Sequence, residues 1–105
     1  MTRSTLPATR DERFTLATTL IGGVLTSSDT LVTGAMVSED VARFAVDVAT
    51  FERGIVLRNA IADAVFCSGF PALTTHSPIP LSEAGGAASW RLIVEVHLGC
   101  VEGGS

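Results

Sequence analysis

The chain has 105 residues, of which 47% are hydrophobic and 17% charged, so it is long enough for one domain with its own core and too apolar for intrinsic disorder. Its seven basic residues, all arginine, are scattered and outnumbered by eleven acidic ones. We therefore expect no nucleic-acid partner, because such proteins carry a basic patch. The apolar surplus predicts that some apolar surface stays exposed after folding. A protein partner or a second copy of the chain would cover it.

Residues 1–12 are polar and predict a flexible N-terminal arm without the apolar core of a signal peptide. The segment 14–25 is too short and too interrupted by threonine and glycine to cross a membrane. We therefore expect a soluble, cytoplasmic protein with no membrane partner. For this segment a helix and a strand both stay open, and the helix is preferred because five apolar residues recur at helical spacing. These are Ala17, Leu20, Ile21, Val24 and Leu25.

A β-hairpin is predicted for residues 30–50, where two β-rich runs are joined by the short polar link 38–40. The preceding TSSDT is typical of a turn. Side chains alternate along the second strand, with Arg43 and Asp47 on one face. Its other face is apolar and consists of Phe44, Val46 and Val48.

The clearest helical pattern covers residues 52–67. Thr50 is positioned to cap its N-terminus, and Glu52 suits the positive end of the helix dipole. Gly69 followed by Pro71 predicts its end, because glycine accepts the left-handed cap and proline cannot continue a helix. The apolar stripe consists of Leu57, Ala60, Ile61, Ala64 and Val65.

Two extended segments are predicted nearer the C-terminus. Pro78 and Pro80 confine residues 71–81 to a sheet edge or a loop, because proline donates no ladder hydrogen bond. Residues 82–89 predict a flexible connection, and 89–100 alternate as a long strand. One side of that strand is apolar, and the other carries Arg91, Ile93, Glu95, His97 and Gly99.

These elements predict an α+β fold, a small two-layer sandwich in which an antiparallel or mixed sheet of about four strands packs against one or two helices. The domain is expected to cover residues 13–101, with 102–105 as a tail. The chain contains no nucleotide-binding, nucleophile-elbow, zinc-protease or calcium-loop signature. We therefore expect no cofactor and no metal.

His76 lies in the proline-stiffened segment and is a candidate general base or metal ligand. The simpler alternative is an exposed imidazole that bonds Ser77 or water. Glu95 and His97 share a strand face and could form an acid–base pair or contribute two ligands to a metal, although the solvated face of an amphipathic strand is the favoured explanation. Asp47 is a fourth catalytic candidate, with an ion pair to Arg43 or Arg91 as the simpler explanation.

Cys67 would be a nucleophile only if His76 or His97 approached it. Its place at the end of an apolar helix predicts burial, and Cys100 is expected to be a reduced core residue as well. Arg53 and Arg58 are expected on a solvated helix face rather than at an anion site.

Three functions remain. The favoured one is a non-enzymatic, self-associating structural or interaction subunit, a homo-oligomer or a binder of another protein, with Arg91, Ile93 and Glu95 at the interface. The first alternative is a small enzyme whose site lies at a subunit boundary and uses His76, His97 and carboxylates. The second is a regulatory domain that binds a small ligand beneath residues 71–89.

Overall fold

The computed structural model describes residues 6–7, 9–81 and 89–99. The elements, in chain order, are α1 (Arg10–Val24), β1 (Thr30–Met36), β2 (Val41–Val48), α2 (Phe51–Cys67), β3 (Ala72–Thr75), β4 (Ile79–Leu81) and β5 (Ser89–His97). Helix α1 begins three residues before the expected domain boundary at 13. Residues 1–5 and 8 of the predicted arm, 82–88 of the predicted connection and the predicted tail, 102–105, lie outside the described residues, as does Cys100.

The five strands form one antiparallel sheet in the order β1-β2-β5-β3. Strand β4 also pairs with β5, at residues 89–91, whereas β3 pairs with residues 94–97. The predicted hairpin is confirmed as β1 and β2. Because β5 runs antiparallel to both β2 and β3, the unit β2-α2-β3 is a split βαβ in which β5 lies between the two parallel strands. The α+β two-layer prediction is confirmed. The sheet has one strand more than expected because the proline-containing edge segment forms two short strands.

Helix α1 resolves the ambiguity of residues 14–25 in favour of a helix. The side chain of Thr9 caps it by accepting a bond of 3.1 Å from the backbone N–H of Glu12. Thr18, whose β-branched side chain is more common in strands, donates its hydroxyl to the carbonyl oxygen of Phe14 one turn earlier. Ala17 and Ile21 are fully buried, so tertiary packing of one face decides the helix over the intrinsic preference of threonine.

Helix α2 has the caps that the sequence predicts. The Thr50 hydroxyl accepts a bond of 3.0 Å from the backbone N–H of Arg53. At the other end, Gly69 adopts a φ of 101° and the N–H of Phe70 reaches back to the carbonyl oxygen of Val65 at 3.3 Å. This is a Schellman ending, and it turns the chain into β3.

The core lies between the two helices and one face of the sheet. That face carries alternate residues of β2 and β5, and Phe14 of α1 stacks on Phe44 at a centroid distance of 5.6 Å. Gly34 on β1 is required there, because a Cβ atom would lie 2.8 Å from the Phe44 ring. Neither described helix has the length and apolar content needed to cross a bilayer.

Candidate functional site

Both helices cover the same side of the sheet, so the opposite side has no helix on it among the described residues. We call this side the open face. The strand registers place it on alternate residues of every strand. Its members are Thr30, Thr33, Ala35, Val41, Arg43, Ala45, Asp47, Ala72, Thr74, Ile79, Leu81, Ser89, Arg91, Ile93, Glu95 and His97.

The centre of the open face is apolar. Ala45 on β2 lies directly opposite Ile93 on β5, and Thr33 on β1 lies beside Ala45. Ala45 is only 8% exposed although no helix covers it, and Ile93 is half-buried. A small, flat apolar patch therefore occupies the middle of a face that would otherwise meet water.

Two cross-strand ion pairs flank this patch, and we call their four residues the charge quartet. On one side Arg43 donates from Nε and Nη2 to Glu95 Oε2, at 2.8 and 2.7 Å. On the other side Arg91 Nε and Nη2 bond the two carboxylate oxygens of Asp47, at 2.7 and 3.1 Å. The forked bond to Asp47 raises the pKa of Arg91 above its ordinary value. Each carboxylate therefore already accepts two bonds from an arginine.

The predicted pair of Glu95 and His97 is not formed. Glu95 turns to Arg43, and His97 Nε2 instead lies 3.1 Å from the hydroxyl of Thr74 on β3. Asp47 takes Arg91, one of its two expected partners. Glu95 and Asp47 each bond the arginine that faces them across the β2–β5 register, because facing residues are closer than residues along one strand. His97 faces Ala72, which has no polar side chain, and contacts Thr74 diagonally.

His76 follows β3 and is exposed. Its backbone N–H donates to the carbonyl oxygen of Ile93 at 3.1 Å, which continues the β3–β5 register by one residue. The imidazole makes no bond to Ser77 or to any other described side chain. His97 lies four residues further along β5 than Ile93, about 13 Å at the usual strand rise. The two histidines are therefore too far apart to share a metal ion or a proton.

The predicted burial of Cys67 is wrong. Cys67 is a free, exposed thiol, and Phe66 beside it is half exposed. Both follow Val65, which is the last buried residue of the α2 stripe, and the helical turn of 100° per residue carries them away from the sheet. No described group of three or more His, Cys, Asp or Glu side chains could hold a metal ion.

The expectation for Arg53 is also wrong. Its guanidinium bonds both carboxylate oxygens of Asp29, with Nε at 3.1 and 3.2 Å, instead of lying in solvent. The Asp29 side chain is fully buried and also accepts the backbone N–H of Thr26 at 2.9 Å and the Thr26 hydroxyl at 3.0 Å. The bond from Arg53 is the main reason why the pKa of Asp29 is lowered. This pair connects the α1–β1 loop to the first turn of α2. Both oxygens of Asp29 already accept hydrogen bonds, so the carboxylate has a structural role.

The open face thus brings together Asp47, Arg91, Ile93, Glu95 and His97, with His76 beside Ile93 one residue beyond β3, and leaves Cys67 outside it. It offers a patterned surface for recognition, since its charged groups already satisfy one another. Comparison of the chain with protein-family models, with curated proteins and with solved structures finds no match.

Proposed function

We propose that this protein is a non-enzymatic, self-associating subunit whose copies meet through the open face. The observation that carries the proposal is a sheet whose helices, within the described residues, all lie on one side, and whose other side has an apolar centre, Ala45 and Ile93. Antiparallel sheets with one solvated face normally alternate between apolar and polar residues. Here the alternation is broken at the middle of the face, where contact with another protein would remove Ile93 from water.

The chemistry of the open face favours association over catalysis. A general acid or base needs a carboxylate or imidazole that can reach a substrate proton. Glu95 and Asp47 are engaged by Arg43 and Arg91, and His97 contacts Thr74. The imidazole of His76 is exposed beside Ile93 but bonds no described carboxylate or nucleophile that would act with it. The residues between the ion pairs, Ala45 and Ile93, are apolar and offer a substrate no proton donor or acceptor.

A measurement of solution mass tests this function. We expect sedimentation velocity over a concentration series to give a species heavier than the 10.9 kDa chain. Ile93→Lys places a solvated ammonium in the middle of the patch, so it should return the protein to the monomer mass while its thermal unfolding stays cooperative.

Val56→Lys is the matched control. Val56 is 56% exposed and lies on α2, on the helical side of the sheet, so the same substitution there should leave the mass unchanged. A wild-type protein that stays monomeric would contradict the proposed function. An assembly that survives Ile93→Lys, or that Val56→Lys dissociates, would place the contact on another surface.

A further inference from the structure

The signs of the charge quartet alternate in a diagonal pattern. On β2 the arginine is Arg43 and the carboxylate is Asp47, with Ala45 between them; on β5 the arginine is Arg91 and the carboxylate is Glu95. The quartet therefore has no net charge, and each arginine stands diagonally across the patch from the other. Such a pattern can oppose a copy of itself without meeting like charges.

We propose that the partner on the open face is a second copy of this chain, docked face to face about a two-fold axis that runs along the strands between β2 and β5. This inference rests on the proposed function and adds its geometry. Rotation about that axis exchanges the two strands, so β2 of one copy lies over β5 of the other. Arg43 then faces the partner's Glu95 and Asp47 faces the partner's Arg91, so all four charges meet opposite charges.

The apolar centre favours this axis over one that crosses the strands. With the axis along the strands, Ile93 of one copy lies over the partner's Ala45, so a large side chain meets a small one. With the axis across the strands, Ile93 would lie over the partner's Ile93 and Ala45 over the partner's Ala45. The two isoleucines would then clash, and the two alanines would leave a cavity. Both arrangements keep the strands of the two sheets aligned, as face-to-face sheets prefer.

The size of the open face fits a reversible dimer. Strand β5 has nine residues, a length of about 30 Å, and four strands side by side are about 19 Å wide. The flat area is thus roughly 600 Å² per copy, at the low end of specific protein interfaces. Interfaces at this end of the range include weak, transient complexes, so the concentration series should extend through the micromolar range.

The decisive experiment exchanges the members of both ion pairs in one variant, R43E/E95R/D47R/R91D. Each ion pair is kept within the chain with its sign reversed, and the net charge is unchanged, so the fold should persist. The variant faces its own copy with opposite charges and should self-associate as the wild type does. Against the wild type, however, all four positions bring like charges together, which strongly disfavours contact.

Native mass spectrometry of an equal mixture measures this selectivity. Free exchange of subunits gives about half mixed dimers, and we expect the mixed species to fall at least tenfold below that share. The two-residue variant R43E/E95R tests the direction of the axis. It also keeps the proposal testable if the four-residue variant does not fold. It makes β2 wholly negative and β5 wholly positive across the patch. It should still self-associate if the axis runs along the strands.

The outcomes distinguish a failure of the docking geometry from a failure of self-association itself. A monomeric wild type contradicts the proposed function itself. A dimer that mixes freely with the four-residue variant keeps self-association but overturns docking by the charge quartet. Loss of self-association in folded R43E/E95R overturns the axis, because only an axis across the strands would bring like columns together. Selective pairing with retained self-association supports the whole proposal.

Discussion

Replacing Asp29 with asparagine removes a buried charge without changing the size of the side chain. In the wild type this carboxylate accepts bonds from Arg53 and from both the backbone and the hydroxyl of Thr26. An asparagine can still accept through its one oxygen, but its amide nitrogen would face donors. The substitution therefore loosens the contact between the α1–β1 loop and α2 without opening a cavity.

The size of the effect follows from the charged hydrogen bonds that are lost. A hydrogen bond to a charged group contributes about 1.5–3 kcal/mol. The Arg53 side chain is 25% exposed and can regain water, which reduces the cost of leaving it unpaired. We expect Asp29→Asn to lower the free energy of unfolding by about 2 kcal/mol, which for a domain of this size corresponds to a melting temperature lower by roughly 8–16 °C.

The pH dependence gives a second, independent readout. The bond from Arg53 lowers the pKa of Asp29 below its ordinary value of 3.8 in the folded protein. The stabilisation is therefore complete above that value and is lost as the pH falls through the lowered folded pKa, where the wild-type carboxyl becomes neutral. The difference in unfolding free energy between wild type and variant should be constant near neutrality and shrink in acid.

Urea denaturation at several pH values measures both quantities. Asp63→Asn is the control, because Asp63 is an exposed carboxylate on the same helix, and we expect it to change stability by less than about 0.5 kcal/mol. If Asp29→Asn is no more destabilising than this control, or if its effect grows in acid, the assigned role of the pair is incorrect.

Two further substitutions test local packing by thermal unfolding. Gly34→Ala brings a Cβ atom to 2.8 Å from the Phe44 ring and should cost about 1–3 kcal/mol, whereas Gly22→Ala in α1 meets nothing within 4 Å and should be neutral or stabilising by up to about 1 kcal/mol. Thr50→Ala removes the acceptor for the Arg53 N–H and should cost about 1 kcal/mol; an unchanged midpoint would show that water replaces the cap.

Periodicity within a single element predicted much of the fold. The α2 stripe and its two caps, and the alternation of β2 and β5, depend on residues close together in sequence, so they could be recognised without tertiary information. The exposure of Cys67 was also within reach. Cys67 lies two residues after Val65, and that spacing places it on the far side of the helix.

Pairing between distant residues could not be recognised in the same way. Asp29 and Arg53 are 24 residues apart and meet only because the loop before β1 passes the start of α2. Asp47 had two possible arginine partners, and the choice of Arg91 required the β2–β5 register. For the same reason the sequence suggested a pair between Glu95 and His97. It did not indicate that Glu95 would form an ion pair with Arg43.

The charge quartet also has a role within one chain, because its ion pairs help to fix the register between β2 and β5. A slip of two residues between β2 and β5 would keep every apolar side chain on the helical side, so burial alone does not exclude it. That slip would set Arg43 opposite His97 or Ile93 and break both ion pairs, so the pairs select the observed alignment. A role confined to this alignment predicts that the four-residue variant, which keeps both pairs, mixes freely with the wild type. Because the exchange preserves the pairing within a chain and reverses it only between chains, a failure to mix can be attributed to docking of the open faces.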